Sequence, residues 1–250
     1  MKNFNQIDIK PHFINMSNPR IGVVALSTDF TIEQDYRRIC HNLPLDIYVN
    51  RIPFVNPCTH ENYLKMVNHL SSVVEQILPK QKIDTIAYGC TSGTIAIGKD
   101  KIEDQIHKSK PNAYVTTPIT SAIKAFKKLN ISKIAVLTPY PQLVNETVFD
   151  YLKNELIEVD TFSSFNLDND FDIAKVDPKH LMNTIMSINH SNVDAVFVSC
   201  TAIKILEVIQ DLENLIKKPV ISSNQAMIWD SLRSVEIKSS IKGFGKLLLV

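Results

Sequence analysis

The sequence has little that would mark a specialised class. Its 27 basic and 26 acidic residues leave a formal net charge of +1. No broad basic face is therefore available for phosphate-backbone binding, and nucleic acid is not an expected partner. No run reaches the roughly 20 apolar residues of a membrane helix, so no membrane association is expected. The leading stretch MKNFNQIDIKPHFINMSNPR has no apolar h-region and reads as an arm over 1–19 rather than a secretion signal. Four cysteines in 250 residues, with no CxxC pair, do not make a disulfide framework. GxGxxG, P-loop and HExxH signatures are absent and no histidine cluster has ligand spacing, so neither an organic cofactor nor a metal is expected. The expectation is a cytoplasmic protein with reduced thiols.

What is present is an α/β pattern. Short apolar, β-branched runs at 20–27, 83–89, 112–117, 132–138, 193–199 and 218–223 read as buried strands, and 45–54 and 158–167 as strands of weaker pattern. Their near-continuous hydrophobicity suits parallel strands covered on both faces. Helical patterns lie between them. Over 60–78, Leu64, Val67, Leu70, Val74, Ile77 and Leu78 keep a three-to-four spacing. The stretches 141–156 and 177–188 each begin with proline near the first turn, the second after an Asp177 cap. Alternating strands and helices imply parallel sheets.

The chain also repeats itself. Ile21 matches Ile134, Cys90 matches Cys200 and Val115 matches Val220, in the same order and at separations of 113, 110 and 105 residues. That indicates internal duplication. We expect two similar Rossmann-like (flavodoxin-like) lobes related by a pseudo-twofold, with the active site in the cleft between them. The first lobe would span 20–118, with 225–250 packing back on it, and the second 119–224. Each lobe places a Cys-Thr at the carboxyl end of a strand, before a helix, where ligands of open α/β sheets bind.

Two thiols facing one cleft have a chemistry. A helix N-terminus favours thiolate. Its N–H groups, with the hydroxyls of Thr91, Ser92 and Thr201, would bind a substrate carboxylate. Opposed thiols can take a proton on one face and deliver one on the other, or pair nucleophilic attack with proton transfer. Buried cysteine is more often a small apolar filler, and Cys40 and Cys58 are read that way. The symmetric placement sets Cys90 and Cys200 apart.

The blocks GCTSGT (89–94), SCTA (199–202) and PVISSNQAMIWDSLR (219–233) resemble the maleate isomerase branch of the aspartate/glutamate racemase superfamily, which includes arylmalonate decarboxylase and the ectoine-utilisation protein A group. The resemblance runs from about Arg20 to the GFGKLL near the C-terminus. It implies that Cys90 is the attacking nucleophile and Cys200 its acid/base partner. It also implies that Tyr140 binds substrate carboxylate and Asn169 is the substrate-binding asparagine. Arylmalonate decarboxylase keeps only the second cysteine, so a chain with both looks more like an isomerase or racemase than a decarboxylase. A homodimer is implied by resemblance alone. One departure stands out. Maleate isomerases carry PSSN after the first strand, whereas LSTDFTIEQDY here puts Asp29 at the asparagine's position. A carboxylate facing a dianion costs binding unless protonated or paired. Asp29 would suit an ammonium or hydroxyl group, and TDFTIEQDY looks closer to the ectoine-utilisation group.

The expected function is a cofactor-independent isomerase or racemase of a small carboxylate, an amino acid or dicarboxylate. The alternatives are an ectoine or hydroxyectoine utilisation enzyme acting on an amino-bearing substrate, a non-catalytic carboxylate-binding protein, and a redox protein pairing Cys90 with Cys200. Of the remaining candidates, Ser27 and Thr28 could line the cleft or satisfy backbone. Asn224 reads as a helix cap, Trp229 as core, His60 and His69 as surface or partly buried residues, and Glu33, Arg37 and Arg38 as a solvated face.

Overall fold

The computed structural model describes residues 6–250. The first five residues of the expected arm lie outside the described residues, and 6–19 carry no helix or strand. The first half of the chain runs β1 (Arg20–Leu26), α1 (Ile32–Cys40), β2 (Asp46–Ile52), α2 (His60–Glu75), β3 (Thr85–Gly89), α3 (Thr91–Ile97), α4 (Lys99–His107) and β4 (Tyr114–Thr116). After α5 (Pro118–Lys128) it runs β5 (Lys133–Thr138), α6 (Gln142–Asn154), β6 (Glu158–Ser164), α7 (Asp170–Ala174), α8 (Pro178–Ile188), β7 (Ala195–Val198), α9 (Ile209–Ile216), β8 (Val220–Ser222) and α10 (Ser223–Ser234).

Two four-stranded parallel sheets result, ordered β2-β1-β3-β4 and β6-β5-β7-β8. Advancing every strand number of the first by four gives the second, which is the internal repeat expressed as topology. Ile21 lies between Ile47 and Thr85, and Ile134 between Val159 and Ala195. The expected α/β class with two similar parallel-sheet lobes is what the chain forms.

Burial explains which strands were plain in the sequence. β1, β3, β5 and β7 occupy the inner positions of their sheets and are almost wholly buried. β2 and β6 are sheet edges with half-exposed or exposed polar positions, so their apolar pattern is diluted.

Caps fix most helix starts. Thr59 accepts from the Asn62 N–H at 3.3 Å to open α2, and Thr117 precedes Pro118 at the start of α5. Asp177 caps α8 as its sequence suggests. Two expectations are corrected. The buried face of α2 is Tyr63, Met66, Val67, Leu70, Val73 and Val74, while Leu64 is partly exposed. The helix ends at Glu75, so Ile77 and Leu78 both fall outside it, Leu78 with a left-handed φ of 47°. Asn224 does not cap α10. Ser222 does, in a capping box with Gln225.

α10 carries the chain back to the first sheet, where it lies against α5, β3 and β4. Its buried Asp230 accepts from Thr116 at 2.6 Å and from Lys124 at 2.8 Å. Trp229 is core, as expected, and its ring N–H reaches the Val250 carbonyl at 3.0 Å. Phe126 of α5 meets Phe197 of β7 edge-on, with centroids 5.5 Å apart. Among the described residues no helix is long and apolar enough to cross a membrane.

The Phe126–Phe197 pair makes the first prediction. Both rings are fully buried, so Phe126→Ala should lower unfolding free energy by about 3–5 kcal/mol. Urea titration reads this directly, and a loss below about 1 kcal/mol would mean the space refills.

Candidate functional site

Both Cys-Thr turns sit where a strand hands over to a following segment. Cys90 follows β3 and is itself the cap of α3, its sulfur accepting from the Gly93 N–H at 3.2 Å. Gly93 is required there, because a Cβ would lie 2.7 Å from that sulfur. Cys200 follows β7 with a φ of +129°, a conformation that costs a side-chain-bearing residue about 1–3 kcal/mol. Its sulfur accepts from the Ala202 N–H at 3.4 Å. No α-helix follows directly. A 3-10 turn at Ile205–Glu207 precedes α9, so the helix N-terminus expected beside Cys200 is absent.

One hydroxyl joins the two turns. Ser223, at the start of α10, accepts from the Thr91 hydroxyl at 2.9 Å and from the Cys200 N–H at 3.0 Å. Asn224 donates both to the Thr201 carbonyl and to Asp35, each at 2.8 Å. Thr31 reaches the Ala202 carbonyl at 2.8 Å. Cys90, Thr91, Ser92, Cys200 and Thr201 are all buried in this contact region. Tyr140, after β5, is 2% exposed; burial pushes its hydroxyl well above the ordinary phenol value, and it stands close enough to Cys200 and Cys90 for negative charge there to add to this.

Asp29 is buried at the start of α1. One carboxylate oxygen accepts from the Thr31 and Ile32 N–H groups at 2.7 and 2.9 Å. The other has no hydrogen-bond partner. The Thr201 hydroxyl lies near it but is aimed at the Gly89 carbonyl, 3.5 Å away. Asn169, the expected substrate-binding asparagine, lies at the start of α7. It is half-buried and its side chain caps α7, accepting from the Phe171 N–H at 2.9 Å. The next residue, Asp170, is the one turned inward. It is 5% exposed and accepts from the Thr28 hydroxyl, and its charge acts on both Cys90 and Cys200. Thr28 therefore faces the site, whereas Ser27 exchanges hydrogen bonds with the Phe54 backbone.

Cys58, expected as an apolar filler, has polar neighbours, Asn56 at 3.8 Å and Asp170. It follows the cis Asn56–Pro57 bond, is buried, and points its thiol at Asp170, 3.9 Å away. Its N–H donates to the Asp168 carbonyl at 2.7 Å, tying the loop after β2 to the loop after β6. A CxxC-type count cannot find such a residue, because its neighbours come from another part of the chain. Cys40 is buried on α1, as expected. A cavity of about 440 Å³ opens beside the cluster between α2, α3 and α6, and Cys58, Tyr63, Ser92, Val144 and Asp168 line it. Among the described residues no group of three or more His, Cys, Asp or Glu could hold a metal ion.

The electrostatics run against reactive thiols in the ligand-free protein. Burial raises the pKa of Cys90 and of Cys200 well above the ordinary thiol value. The Gly93 and Ala202 N–H groups offset only part of this, and the Asp170 charge adds to it. The expected thiolate at the start of α3 is thus outweighed by desolvation. Burial likewise lifts Asp35 to about 7, against hydrogen bonding from Asn224, and Asp170 to about 6, against the Thr28 hydroxyl. Asp29 is also raised, burial outweighing its two N–H donors.

With the geometry in view, similarity places the chain. The arylmalonate decarboxylase (Amdase) family profile matches residues 55–248. The maleate isomerase of Alcaligenes faecalis is 22% identical over 250 residues, covering 93% of this chain and 97% of that one. A cysteine mutant of the Nocardia farcinica maleate cis-trans isomerase with a covalently bound succinylcysteine intermediate superposes with a TM-score of 0.86. The match is at 20% identity and covers 93% of this chain and 99% of that one. The Pseudomonas putida S16 maleate isomerase crystallised with maleate gives 0.85 at 22% identity, covering 93% and 98%.

Two predictions follow from the charges. Iodoacetamide at neutral pH should label Cys90 and Cys200 at least about tenfold more slowly than an unperturbed thiol. Peptide mass mapping reads the rates, and equal labelling contradicts the burial account. Asp35 titrates near 3.8 when unfolded and about 7 when folded. The folded protein therefore holds the extra proton in that window, and the stability this group contributes is full below about pH 4 and lost as pH rises toward 7. Asp35→Asn should flatten the fall in urea midpoint between pH 5 and 8, and an unchanged slope rules this out. The profile match over most of the chain, together with the motif blocks around Cys90 and Cys200, shows that the protein belongs to the arylmalonate decarboxylase family, within the branch that also contains the maleate isomerases.

Proposed function

We propose that the protein is an isomerase of a small carboxylate that works with two cysteines and no cofactor, in a cleft between a lobe of residues 20–118 plus 225–250 and a lobe of 119–224. The observation that carries this is the convergence of the two Cys-Thr turns on the Ser223 hydroxyl. The repeat supplies one thiol from each sheet, and a shared anchor holds both turns. The succinylcysteine in the Nocardia farcinica structure supports a covalent route in a protein of the same fold.

Cys90 is the nucleophile. Its thiolate adds to one sp2 carbon of an unsaturated carboxylate while the Cys200 S–H protonates the adjacent carbon. The double bond becomes single, the C–C bond rotates, Cys200 takes back a proton and the C–S bond breaks. On a substrate with an acidic α-hydrogen the same pair would remove the proton on one face and supply another on the opposite face. Thr91, Ser92, Thr201 and Tyr140 hold the carboxylate, with Asp29 and Asn169 at the specificity positions read from sequence. Ligand entry expels water, which strengthens every interaction inside the site. Presence of both thiols favours isomerisation over decarboxylation.

Proton NMR in D2O under reducing conditions tests this on maleate, aspartate, glutamate, 2,4-diaminobutyrate and an arylmalonate, with wild type beside Cys90→Ala and Cys200→Ala. The expected result is fumarate formation or deuterium at an α-carbon in wild type, with a loss of at least about 10³-fold in each mutant. Turnover surviving in either mutant would sink the two-thiol mechanism.

A further inference from the structure

We propose that Asp29 and Asp170 together form a subsite for a cationic group on the ligand, so that the substrate is an amino-bearing carboxylate and not a dianion. This rests on the reading of the cleft as a carboxylate isomerase site.

Three features of the cleft carry it. First, Asp29 is 3% exposed and keeps one carboxylate oxygen with no partner. A buried acceptor left open in this way costs about 1–3 kcal/mol, and a donor arriving with the ligand would remove that cost. Second, Asp170 is buried beside both thiols, and its side-chain partners are the Thr28 hydroxyl and the weak Cys58 S–H donor. Third, among the described residues neither carboxylate has an ion-pair partner. The nearest guanidiniums are committed elsewhere. Arg51 donates to the Leu26, Ser27 and Asp29 carbonyls and pairs with Glu33, and Arg38 pairs with Asp35 and Glu207.

Two mutually repelling carboxylates without a cation are an incomplete electrostatic unit. A dianion placed among them would add like charge in a dry site, whereas an ammonium supplies the missing sign and up to three donors. The same ammonium would act on the chemistry. The Asp170 charge disfavours thiolate at Cys90 and Cys200 in the free protein. A cation bound to Asp170 cancels that field when the substrate is in place, so the thiols would become reactive only with ligand present.

Equilibrium dialysis with matched pairs tests the subsite without asking for turnover. The probes are aspartate against succinate, glutamate against glutarate, and 2-aminobutyrate against butyrate, on the Cys90→Ser protein at neutral pH. In at least one pair the amino member should bind at least about tenfold more tightly. Asp170→Asn, which keeps the shape, should shrink that ratio at least about fivefold while binding of the amine-free member holds or improves. Asp29→Asn should act in the same direction. Equal or tighter binding of the amine-free member in every pair overturns the proposal, as does a ratio that Asp170→Asn leaves unchanged, or no measurable binding of any amino member. The NMR experiment fails or succeeds separately. Two-thiol turnover of an amine-free acid with no amino preference would keep the isomerase reading and remove this subsite. An amino preference without turnover would do the reverse.

Discussion

The site depends on one hydroxyl. Ser223 stands where the chain leaves β8 of the second sheet and enters α10, which packs on the first sheet. That crossing position lets a single oxygen accept from Thr91, beside one cysteine, and from the backbone of the other. Its neighbours extend the tie. Ser222 caps the helix with Gln225, and Asn224 reaches across to Asp35 and Thr201. Buried polar links of this kind are worth little in net stability when satisfied, but they fix geometry because any alternative leaves donors stranded. The unusual φ of Cys200 persists under the same constraint. Its N–H is held by Ser223 while its sulfur receives the Ala202 N–H.

The cost of the arrangement is visible in its charges. Asp29, Asp35 and Asp170 are buried in one region, and burial shifts each toward its neutral form. Among the described residues Asp29 and Asp170 have no ion-pair partner and Asp35 has Arg38 at 3.8 Å, and burying ionisable groups with so little counter-charge lowers stability. A core built only for stability would replace them with apolar residues. The same desolvation that destabilises these carboxylates favours the protonated form of both thiols, which is the poorer nucleophile. The low dielectric that disfavours charge on these groups also strengthens any interaction between charges brought together there.

Much of the architecture was legible because the repeat and the buried inner strands leave direct traces in sequence. Inner strands such as GVVAL and VFV have no solvent face and so no polar alternation. The edge strands around Asn50 and Asp160 have one, and their pattern is weaker for that reason. Cys90 and Cys200 were legible because each ends a buried strand. Asp170 and Cys58 were not. Cys58 sits in the loop after edge strand β2 and Asp170 at the first position of α7, after edge strand β6. There the next residue along can face the opposite way: Asn169 caps the helix while Asp170 turns inward to the Thr28 hydroxyl. Asn224 was misread for a related reason, since any of three consecutive polar residues, Ser222, Ser223 or Asn224, could have supplied the cap. Only the register of Gln225 decides it.

Duplication explains why the site has both a symmetric and an asymmetric part. Corresponding positions after β3 and β7 carry the same residue, cysteine, and corresponding loops after β2 and β6 meet each other through Cys58 and Asp168. The positions after β1 and β5 have diverged instead. One holds Asp29 with an open oxygen, the other Tyr140 beside the thiols. At the repeat's separation of 113 residues Tyr140 corresponds to Ser27 and Asp29 to Gln142, so neither the phenol nor the carboxylate has a like partner in the other half, and the surroundings of the two thiols are chemically unlike. In this duplicated scaffold the inner strands β3 and β7 keep the like pair of cysteines, and divergence of the segments after β1 and β5 removes the symmetry around it.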